Sequence, residues 1–251
     1  MEKSDYIFGI RAVIEALEAD KKIDKIFIRR DLQGDLVAQL FDMLRGRRIV
    51  VQRVPAEKLD RITRRNHQGV IAFAAAVTYH RLDHMVAAVY EEGRVPFMVL
   101  LDGLTDVRNF GAIVRTCECA GVDAVVIPER GSVSAGPDAM KTSAGALARV
   151  PVCRERNILS AVRFLKESGY VVVGVTEKGS DNYTQADYTG PVALVMGAED
   201  TGISPEVLAE CDARVAIPML GHIGSLNVSV AAGIAIYEVV RQRLAANEEP
   251  V

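Results

Sequence analysis

Residues 97–128, FMVLLDGLTDVRNFGAIVRTCECAGVDAVVIP, alternate between two apolar patterns. Phe97–Leu101 and Ala124–Ile127 are continuous apolar runs, as in buried strands, whereas residues 109–120 have the apolar spacing of a helix. The same alternation returns further along the chain, with strands predicted at 170–175, 192–196 and 214–217. Continuous apolar strands separated by helices indicate an α/β fold with a largely parallel sheet covered on both faces. Ligands of such sheets bind beyond the carboxyl ends of the strands.

The remaining sequence predicts a second, smaller domain. Residues 1–77 mix helical and extended patterns and form a compact α/β unit. Residues 78–96 are rich in charge and end in Gly93 and Pro96, which interrupt regular elements, so they are interpreted as a linker. Residues 97–251 then form the domain that carries the chemistry.

Composition excludes several classes of protein. With 251 residues, 49% apolar and 25% charged, the chain has the profile of a globular protein rather than a disordered or fibrous one. Its net charge of −3 hides an asymmetry, because residues 1–80 carry 15 basic and 11 acidic side chains. Residues 45–65 hold eight basic side chains against Glu57 and Asp60, which predicts a local polyanion-binding face.

The sequence also predicts where the protein works. Four cysteines, without a C-x-x-C pair or zinc-finger spacing, indicate reduced structural thiols and no metal site. The amino terminus lacks a secretory signal pattern, and no apolar run approaches the roughly 20 residues that span a bilayer. A cytoplasmic protein without membrane contact is expected.

Three segments that follow predicted strands carry polar and glycine residues. In the first, residues 102–116, Asn109 is expected to cap a helix from which Arg115 projects. The residues alone leave open that Arg115 is an ordinary solvated arginine. In the second, residues 195–204, Gly197 and Glu199 lie in a turn before a helix, where an acid is favoured by the helix dipole in any case.

The third segment, residues 217–233, places Ser225, Asn227 and Ser229 between a strand and an apolar helix. These groups either cap the helix or face a ligand, and capping explains one of the three. His222 has no acidic partner nearby in sequence, which favours a surface role.

Familiar nucleotide and hydrolase motifs are missing. The position of the phosphate-binding lysine in a P-loop is occupied by Ile203, and the dinucleotide fingerprint G-x-G-x-x-G does not occur. The nucleophile pattern G-x-S-x-G is also missing. The residues alone therefore indicate an α/β enzyme with a basic accessory domain.

Taken together and in order, three motifs resemble those of the SpoU family of S-adenosylmethionine-dependent RNA ribose 2′-O-methyltransferases. They are Asn109-x-Gly111-x-x-x-Arg115, Met196-Gly197-x-Glu199-x-x-Gly202-Ile203, and Ile217-Pro218 through Ser225-Leu226-Asn227-Val228-Ser229. Residues 7–17 and 66–70 are similar to the substrate-binding domain of the bacterial subgroup that methylates a guanosine of 23S rRNA.

The resemblance implies a trefoil-knotted α/β methyltransferase domain, a ribosomal-protein L30e-like α/β substrate-binding domain and a homodimer that completes each site. It implies S-adenosylmethionine as cofactor, bound by Thr176, Gly197, Ile217, Met219 and Leu226. The functional polar residues that carry over are Asn109, Arg115, Glu199, Ser225 and Asn227. Because guanidinium keeps its proton in proteins, we expect Arg115 to clamp a phosphate of the target rather than to act as a base.

For the amino-terminal domain, the expected RNA contacts are Arg11, Arg47, Arg48, Arg64, Arg65 and His67. The implied substrate is 23S rRNA. Two alternatives stay open: a tRNA ribose methyltransferase of the same family, and a non-catalytic RNA-binding factor in ribosome assembly. The acidic 247–250 segment disfavours the first, and the retained polar motif residues disfavour the second.

Overall fold

The computed structural model of the chain describes residues 6–47 and 49–248. The chain divides into two compact units, each described here by itself. The first comprises Met1–Thr78 together with Ser134–Asp138, and the second comprises Tyr79–Val133 and Ala139–Val251.

The first unit is a four-stranded sheet with three helices. Its elements are β1 (Tyr6–Phe8), α1 (Ile10–Glu18), β2 (Ile23–Arg29), α2 (Asp35–Leu44), β3 (Val50–Val54), α3 (Ala56–Ile62) and β4 (Val70–Ala74). The strand order is β1-β4-β2-β3, and β2–β3 is the parallel pair. Helices α1 and α2 pack on one face of the sheet, where their buried apolar residues meet Ile26, Ile28 and Val70. Helix α3 covers part of the other face through Leu59.

The second unit is built on an eight-stranded sheet. Its strands are β5 (Tyr79–His80), β6 (Phe97–Asp102), β7 (Ala124–Pro128), β8 (Val152–Glu155), β9 (Val171–Val175), β10 (Asp181–Asn182), β11 (Val192–Gly197) and β12 (Ala213–Ala216). Its helices are α4 (Leu82–Glu91), α5 (Val107–Cys119), α6 (Pro137–Thr142, which begins in the first unit), α7 (Ile158–Glu167), α8 (Pro205–Glu210) and α9 (Val228–Glu248).

The strand order is β10-β12-β9-β11-β6-β7-β8-β5, and neighbouring strands are parallel throughout. Helices α4, α7 and α8 cover one face, packing on Met98, Leu100 and Val195. Helices α5 and α9 contact each other, and α9 also contacts β11. The predicted α/β class with a buried parallel sheet is thus confirmed, whereas the knotted path stays a prediction.

The prediction that residues 78–96 form a linker is wrong for most of that segment. Tyr79–His80 pairs with β8, and Leu82–Glu91 is helix α4. Leu82 and Val86 are buried in the core of the second unit. Charged residues between these apolar positions make the helical pattern difficult to recognise in the sequence. Because its apolar residues are buried in that core, the segment belongs to the second unit.

Helix α5 begins two residues earlier than predicted, and its cap is a different residue. Asp106, not Asn109, is the N-cap, since its carboxylate accepts hydrogen bonds from the backbone N–H groups of Arg108 (2.7 Å) and Asn109 (3.0 Å). The side chain of Asn109 lies within the first turn and is therefore available for other contacts.

Candidate active site

A pocket lies at the carboxyl ends of the parallel strands β9, β11 and β12. It is lined by Val175, Thr176, Glu177, Met196, Gly197, Ala198, Glu199, Gly202, Ile203, Ile217, Met219, Gly224, Ser225, Leu226, Val228 and Ala231. All five residues predicted for the cofactor, namely Thr176, Gly197, Ile217, Met219 and Leu226, are among them. Segments distant in sequence therefore meet where an open parallel sheet binds its ligands.

The turn after β11 requires a glycine at position 197. A Cβ there would lie 2.1 Å from the carbonyl carbon of Gly202 and 2.2 Å from the nitrogen of Ile203. Ala198 and Gly202 exchange backbone hydrogen bonds of 3.2 and 2.9 Å, which close the turn. The tight turn presents Glu199 beside the pocket.

Three predicted polar residues, one from each motif, form a hydrogen-bonded cluster. Glu199 Oε1 accepts from Asn109 Nδ2 at 2.9 Å and from Asn227 Nδ2 at 2.6 Å. Asn227 Nδ2 also donates to Asn109 Oδ1 at 3.1 Å. We call Asn109, Glu199 and Asn227 the polar cluster. It joins the first turn of α5, the turn after β11 and the segment before α9.

Asn227 has a second task at the start of α9. Its Oδ1 accepts from the backbone N–H of Ser229 at 2.9 Å, from Ser229 Oγ at 2.5 Å and from the N–H of Val230 at 3.4 Å. Every polar atom of the Asn227 side chain is thus used within the protein. Ser225 lines the pocket and is exposed.

The structure does not bring Arg115 into the polar cluster. It lies two turns along α5, on an exposed face, and makes no hydrogen bond or ion pair with any residue in the described ranges. His222 is exposed, as its sequence context predicts.

Two acids at this edge of the sheet were not predicted from sequence. Glu177 follows β9 and lines the pocket. Asp102, at the end of β6, accepts a 2.7 Å hydrogen bond from the backbone N–H of Ser204 and so ties β6 to the start of α8. Both could have been predicted as site residues, because each lies at the end of a buried strand, where ligands of a parallel sheet bind.

The pocket's chemistry suits a cationic, partly apolar cofactor. Its described lining contains the carboxylates of Glu177 and Glu199 but no Lys, Arg or His. Phosphate groups would lack a cationic partner there, whereas a positively charged sulfonium or ammonium group would be favoured. Apolar side chains such as Ile217 and Leu226 offer a surface for a flat purine ring. These residues fit S-adenosylmethionine.

The predicted RNA contacts of the first unit differ in their surroundings. Arg11, Arg47, Arg64 and Arg65 are exposed. Arg47 lies 3.5 Å from Asp20, and Arg48 falls outside the described residues.

His67 has no ring nitrogen left for RNA. Its Nδ1 accepts from the backbone N–H of Gly69 at 3.0 Å, and its Nε2 lies 3.0 Å from Asp60 Oδ1. Its side chain is 12% exposed. The imidazole therefore fixes the turn before β4.

No helix within 6–47 or 49–248 is long and apolar enough to span a membrane. In the same residues, no group of three or more His, Cys, Asp or Glu side chains is arranged to hold a metal ion.

Fold and site define a class: a two-unit α/β protein whose parallel sheet holds a pocket for a cationic cofactor beside a carboxamide–carboxylate cluster. Comparison with known proteins agrees. The family model of the SpoU rRNA methylase family matches residues 96–237, and that for RNA 2′-O ribose methyltransferase substrate binding matches residues 6–80.

Relatives align over nearly the whole chain. YacO of Bacillus subtilis (strain 168), assigned to the TrmH family of tRNA/rRNA methyltransferases, is 37% identical over 242 residues, covering 96% of this chain and 97% of that protein. A protein of Staphylococcus saprophyticus with the same family assignment is 38% identical over 237 residues, covering 94% and 95%.

Solved structures share the fold. The AdoMet-bound rRNA methyltransferase from Sinorhizobium meliloti has a TM-score of 0.59 and 28% identity, covering 94% of this chain and 86% of its own. The SpoU methyltransferase AviRb from Streptomyces viridochromogenes, in complex with AdoMet, has a TM-score of 0.61 and 25% identity, covering 96% and 90%.

The chain belongs to the SpoU rRNA methylase family. It is an S-adenosylmethionine-dependent RNA methyltransferase, and its first unit is a substrate-binding domain.

Proposed function

We propose that the protein methylates the ribose 2′-oxygen of a guanosine in 23S rRNA. The polar cluster carries this proposal, because it holds three motif residues beside a pocket that suits the cofactor. The match of residues 6–80 to a ribose methyltransferase substrate-binding model supports the 2′-oxygen as the acceptor. Four free cysteines fit a reducing cytoplasm, where we place the protein.

In this proposal the pocket positions two substrates. Bound S-adenosylmethionine supplies an electrophilic methyl group on a sulfonium. The residues that would hold it in the pocket are Thr176, Gly197, Ile217, Met219 and Leu226. Alignment of the ribose with that methyl group supplies much of the rate.

The polar cluster orients the ribose through its free acceptor. Glu199 Oε1 is occupied by two amide donors, while Oε2 accepts no hydrogen bond from the described residues. Oε2 and Ser225 Oγ therefore bind the hydroxyl groups of the target ribose. Asn109 and Asn227 act as positioning residues that fix the Glu199 carboxylate.

Arg115 stabilises charge on the target nucleotide. A protonated guanidinium does not accept the 2′-hydroxyl proton, which passes to water as the methyl group is transferred from sulfur to oxygen. The guanidinium instead forms paired hydrogen bonds with a phosphate. In that position it would also favour the alkoxide that develops on the ribose. Because Arg115 lies outside the polar cluster of its own chain, a second protomer can bring it to a neighbouring site.

We propose a homodimer assembled on α9. Val230, Tyr237 and Leu244 are 50%, 50% and 58% exposed, and they recur every seven residues along this helix. Seven-residue spacing places them in one apolar stripe, as in a seam between helices. Leu220 and Ile223, in the segment that leads to the pocket, are 98% and 79% exposed. A second copy of the chain would cover both.

Transfer of tritiated methyl from S-adenosylmethionine to protein-free large-subunit rRNA and to bulk tRNA tests the substrate. We expect label in the rRNA with the wild-type protein and little with Asn109→Ala. Label in tRNA alone would overturn the rRNA assignment. Cofactor binding without label in rRNA, tRNA or assembling large subunits would support a non-catalytic factor instead.

A further inference from the structure

One face of the first unit's sheet carries a row of aromatic side chains. Strand register pairs Tyr6 with Phe73 and Phe73 with Lys25, and it pairs Phe8 and Phe27 with Ile71. Because partners opposite each other and residues two apart share a face, these side chains all lie on one side. We call Tyr6, Phe8, Phe27 and Phe73 the aromatic face.

The rings form a connected set. Phe27 and Phe73 meet edge to face, with centroids 5.1 Å apart, and Tyr6 lies 6.5 Å from Phe73 and 6.2 Å from Phe8. Phe27 is buried, whereas Phe73, Tyr6 and Phe8 are half-buried. Within this unit, α1 and α2 pack on the opposite face, whereas Leu59 of α3 is buried with Phe27 and Ile71 on this one.

Basic side chains surround these rings. Lys25 Nζ lies 5.1 Å from the Phe73 centroid, Lys58 Nζ lies 4.7 Å from that of Phe27, and the Arg65 guanidinium lies 5.8 Å from that of Phe8. A surface pocket is lined by Phe27, Phe73, Lys25, Lys58 and Arg61, with Glu57 as its acidic member. In the described lining of this pocket, basic side chains outnumber carboxylates, which favours an anionic ligand that also has a flat apolar part.

We propose that the aromatic face binds an unpaired stretch of RNA by stacking a base on Phe73 while its phosphates contact Lys58 and Arg61. Half-buried rings on a four-stranded sheet, interleaved with cations, are suited to single-stranded nucleic acid. A duplex keeps its bases stacked on each other and cannot offer one to the ring. This proposal extends the proposed function to a binding site for unpaired RNA, and it rests on the proposed function for the choice of RNA as the ligand.

The lysines over the rings do not block this site. An exposed cation–π contact is weaker than base stacking. The four-carbon stem of lysine is flexible, so its ammonium can move off the ring when a base arrives. Of the six residues expected from sequence to contact RNA, Arg65 lies beside the aromatic face, and Lys58 and Arg61 belong to the basic 45–65 segment that predicted a polyanion-binding face; the rings themselves carry no charge pattern that predicts them.

The test compares two aromatic residues of the same unit in the full-length chain. Phe73→Leu removes the ring but keeps apolar volume. Phe41→Leu is the matched control, since Phe41 is also half-buried and has the Arg53 guanidinium 5.4 Å from its centroid, but packs with the core of the opposite face. Fluorescence anisotropy with a labelled 12-nucleotide single-stranded RNA and a blunt 12-base-pair RNA duplex measures binding.

We expect Phe73→Leu to weaken binding of the single strand about fivefold or more, with duplex binding unchanged. Phe73→Tyr and Phe41→Leu should bind like the wild type. Lys58→Gln should reduce the salt slope by about 0.7, whereas Lys21→Gln, an exposed lysine outside the surface, should not. Equal single-strand affinity for a folded Phe73→Leu and the wild type, or a Lys58→Gln slope like that of Lys21→Gln, would overturn the proposal.

Methyl transfer with the same proteins separates the two proposals. If the wild type labels no RNA but single-strand binding depends on Phe73, the aromatic site stands and the proposed reaction falls. If the wild type methylates rRNA and Phe73→Leu binds the single strand equally well, the reaction stands and the aromatic site falls. Cross-linking of a 4-thiouridine single strand to the peptide containing Phe73 would support the site directly.

Discussion

At the scale of single residues, the carboxylate of Glu199 is the centre of the site. One of its oxygens accepts two amide hydrogens from different motifs, and the other accepts no hydrogen bond from the described residues. This arrangement fixes the position of the carboxylate and leaves its second oxygen able to accept a hydrogen bond from a ligand. Charge-assisted hydrogen bonds are stronger than neutral ones, so the carboxylate also holds Asn109 and Asn227 together.

Replacing Glu199 should separate its two roles. Glu199→Ala leaves two amide N–H groups without their acceptor and should lower methyl transfer about tenfold or more. Glu199→Gln keeps an oxygen that can accept and should lose less. Steady-state kcat and KM for RNA measure the effect. Asp200→Ala is the control, since Asp200 is the exposed neighbour outside the cluster; an equal loss there would contradict a specific role for Glu199.

Arg115 should tolerate lysine better than alanine. If it contacts a phosphate as a cation, Arg115→Ala should reduce methyl transfer about 100-fold, by analogy with loss of a charge-stabilising donor. Arg115→Lys keeps the charge and should retain much of the turnover. Arg108→Ala, an exposed arginine on the same helix, serves as control. Near-normal turnover of Arg115→Ala would remove the residue from the site.

At the scale of elements, the turn between β11 and α8 depends on close backbone packing. Gly197 is needed because the backbone of Gly202 and Ile203 occupies the space of a Cβ. Gly197 therefore has two roles in the same turn: it allows the close backbone packing, and it is one of the residues predicted to bind the cofactor.

Gly197→Ala should open this turn. The clash requires a backbone shift, which we expect to cost about 1–3 kcal/mol, the range for overpacked sites. In a chain of this size that lowers Tm by roughly 2–4 °C per kcal/mol. Cofactor affinity should fall as well. Calorimetry and titration with S-adenosylmethionine test both, with Gly190→Ala as control because a Cβ there meets nothing within 4 Å. Unchanged binding by Gly197→Ala would contradict this account.

Sequence patterns predicted the central elements well, since β6, β7 and β11 are continuous apolar runs that are fully or almost fully buried. They failed where few residues carry the signal. Strand β8 has the short sequence Val-Cys-Arg-Glu, and β5 has two residues, so neither shows a period. The apolar stripe of α4 is interrupted by charge. Such elements form because neighbouring strands and helices pair or pack with them, and not because of a pattern in their own sequence.

The site shows the same division. The motifs identified Asn109, Glu199 and Asn227, but not that their side chains bond to each other or that Asp106 caps α5. Those contacts depend on how distant segments meet. The return of Ser134–Asp138 to the first unit likewise has no local signal.

At the scale of the whole molecule, the apolar stripe of α9 predicts a dimer. Light scattering after size-exclusion chromatography should give twice the 27.3 kDa of one chain. Tyr237→Glu should shift the protein to monomers and abolish methyl transfer, because a buried unpaired charge disrupts an apolar seam. Val95→Glu, at a residue that is also 50% exposed but lies outside α9, should stay dimeric. A fully active monomer would refute a shared site.

The most direct measurement of the central claim is nucleoside analysis of the methylated RNA. Large-subunit rRNA labelled by the wild-type protein would be digested to nucleosides and the label identified by mass spectrometry. The account predicts 2′-O-methylguanosine from a single position, lost with Asn109→Ala. Label on a base, or no label in free rRNA, tRNA or assembling subunits, would contradict ribose methylation as the activity.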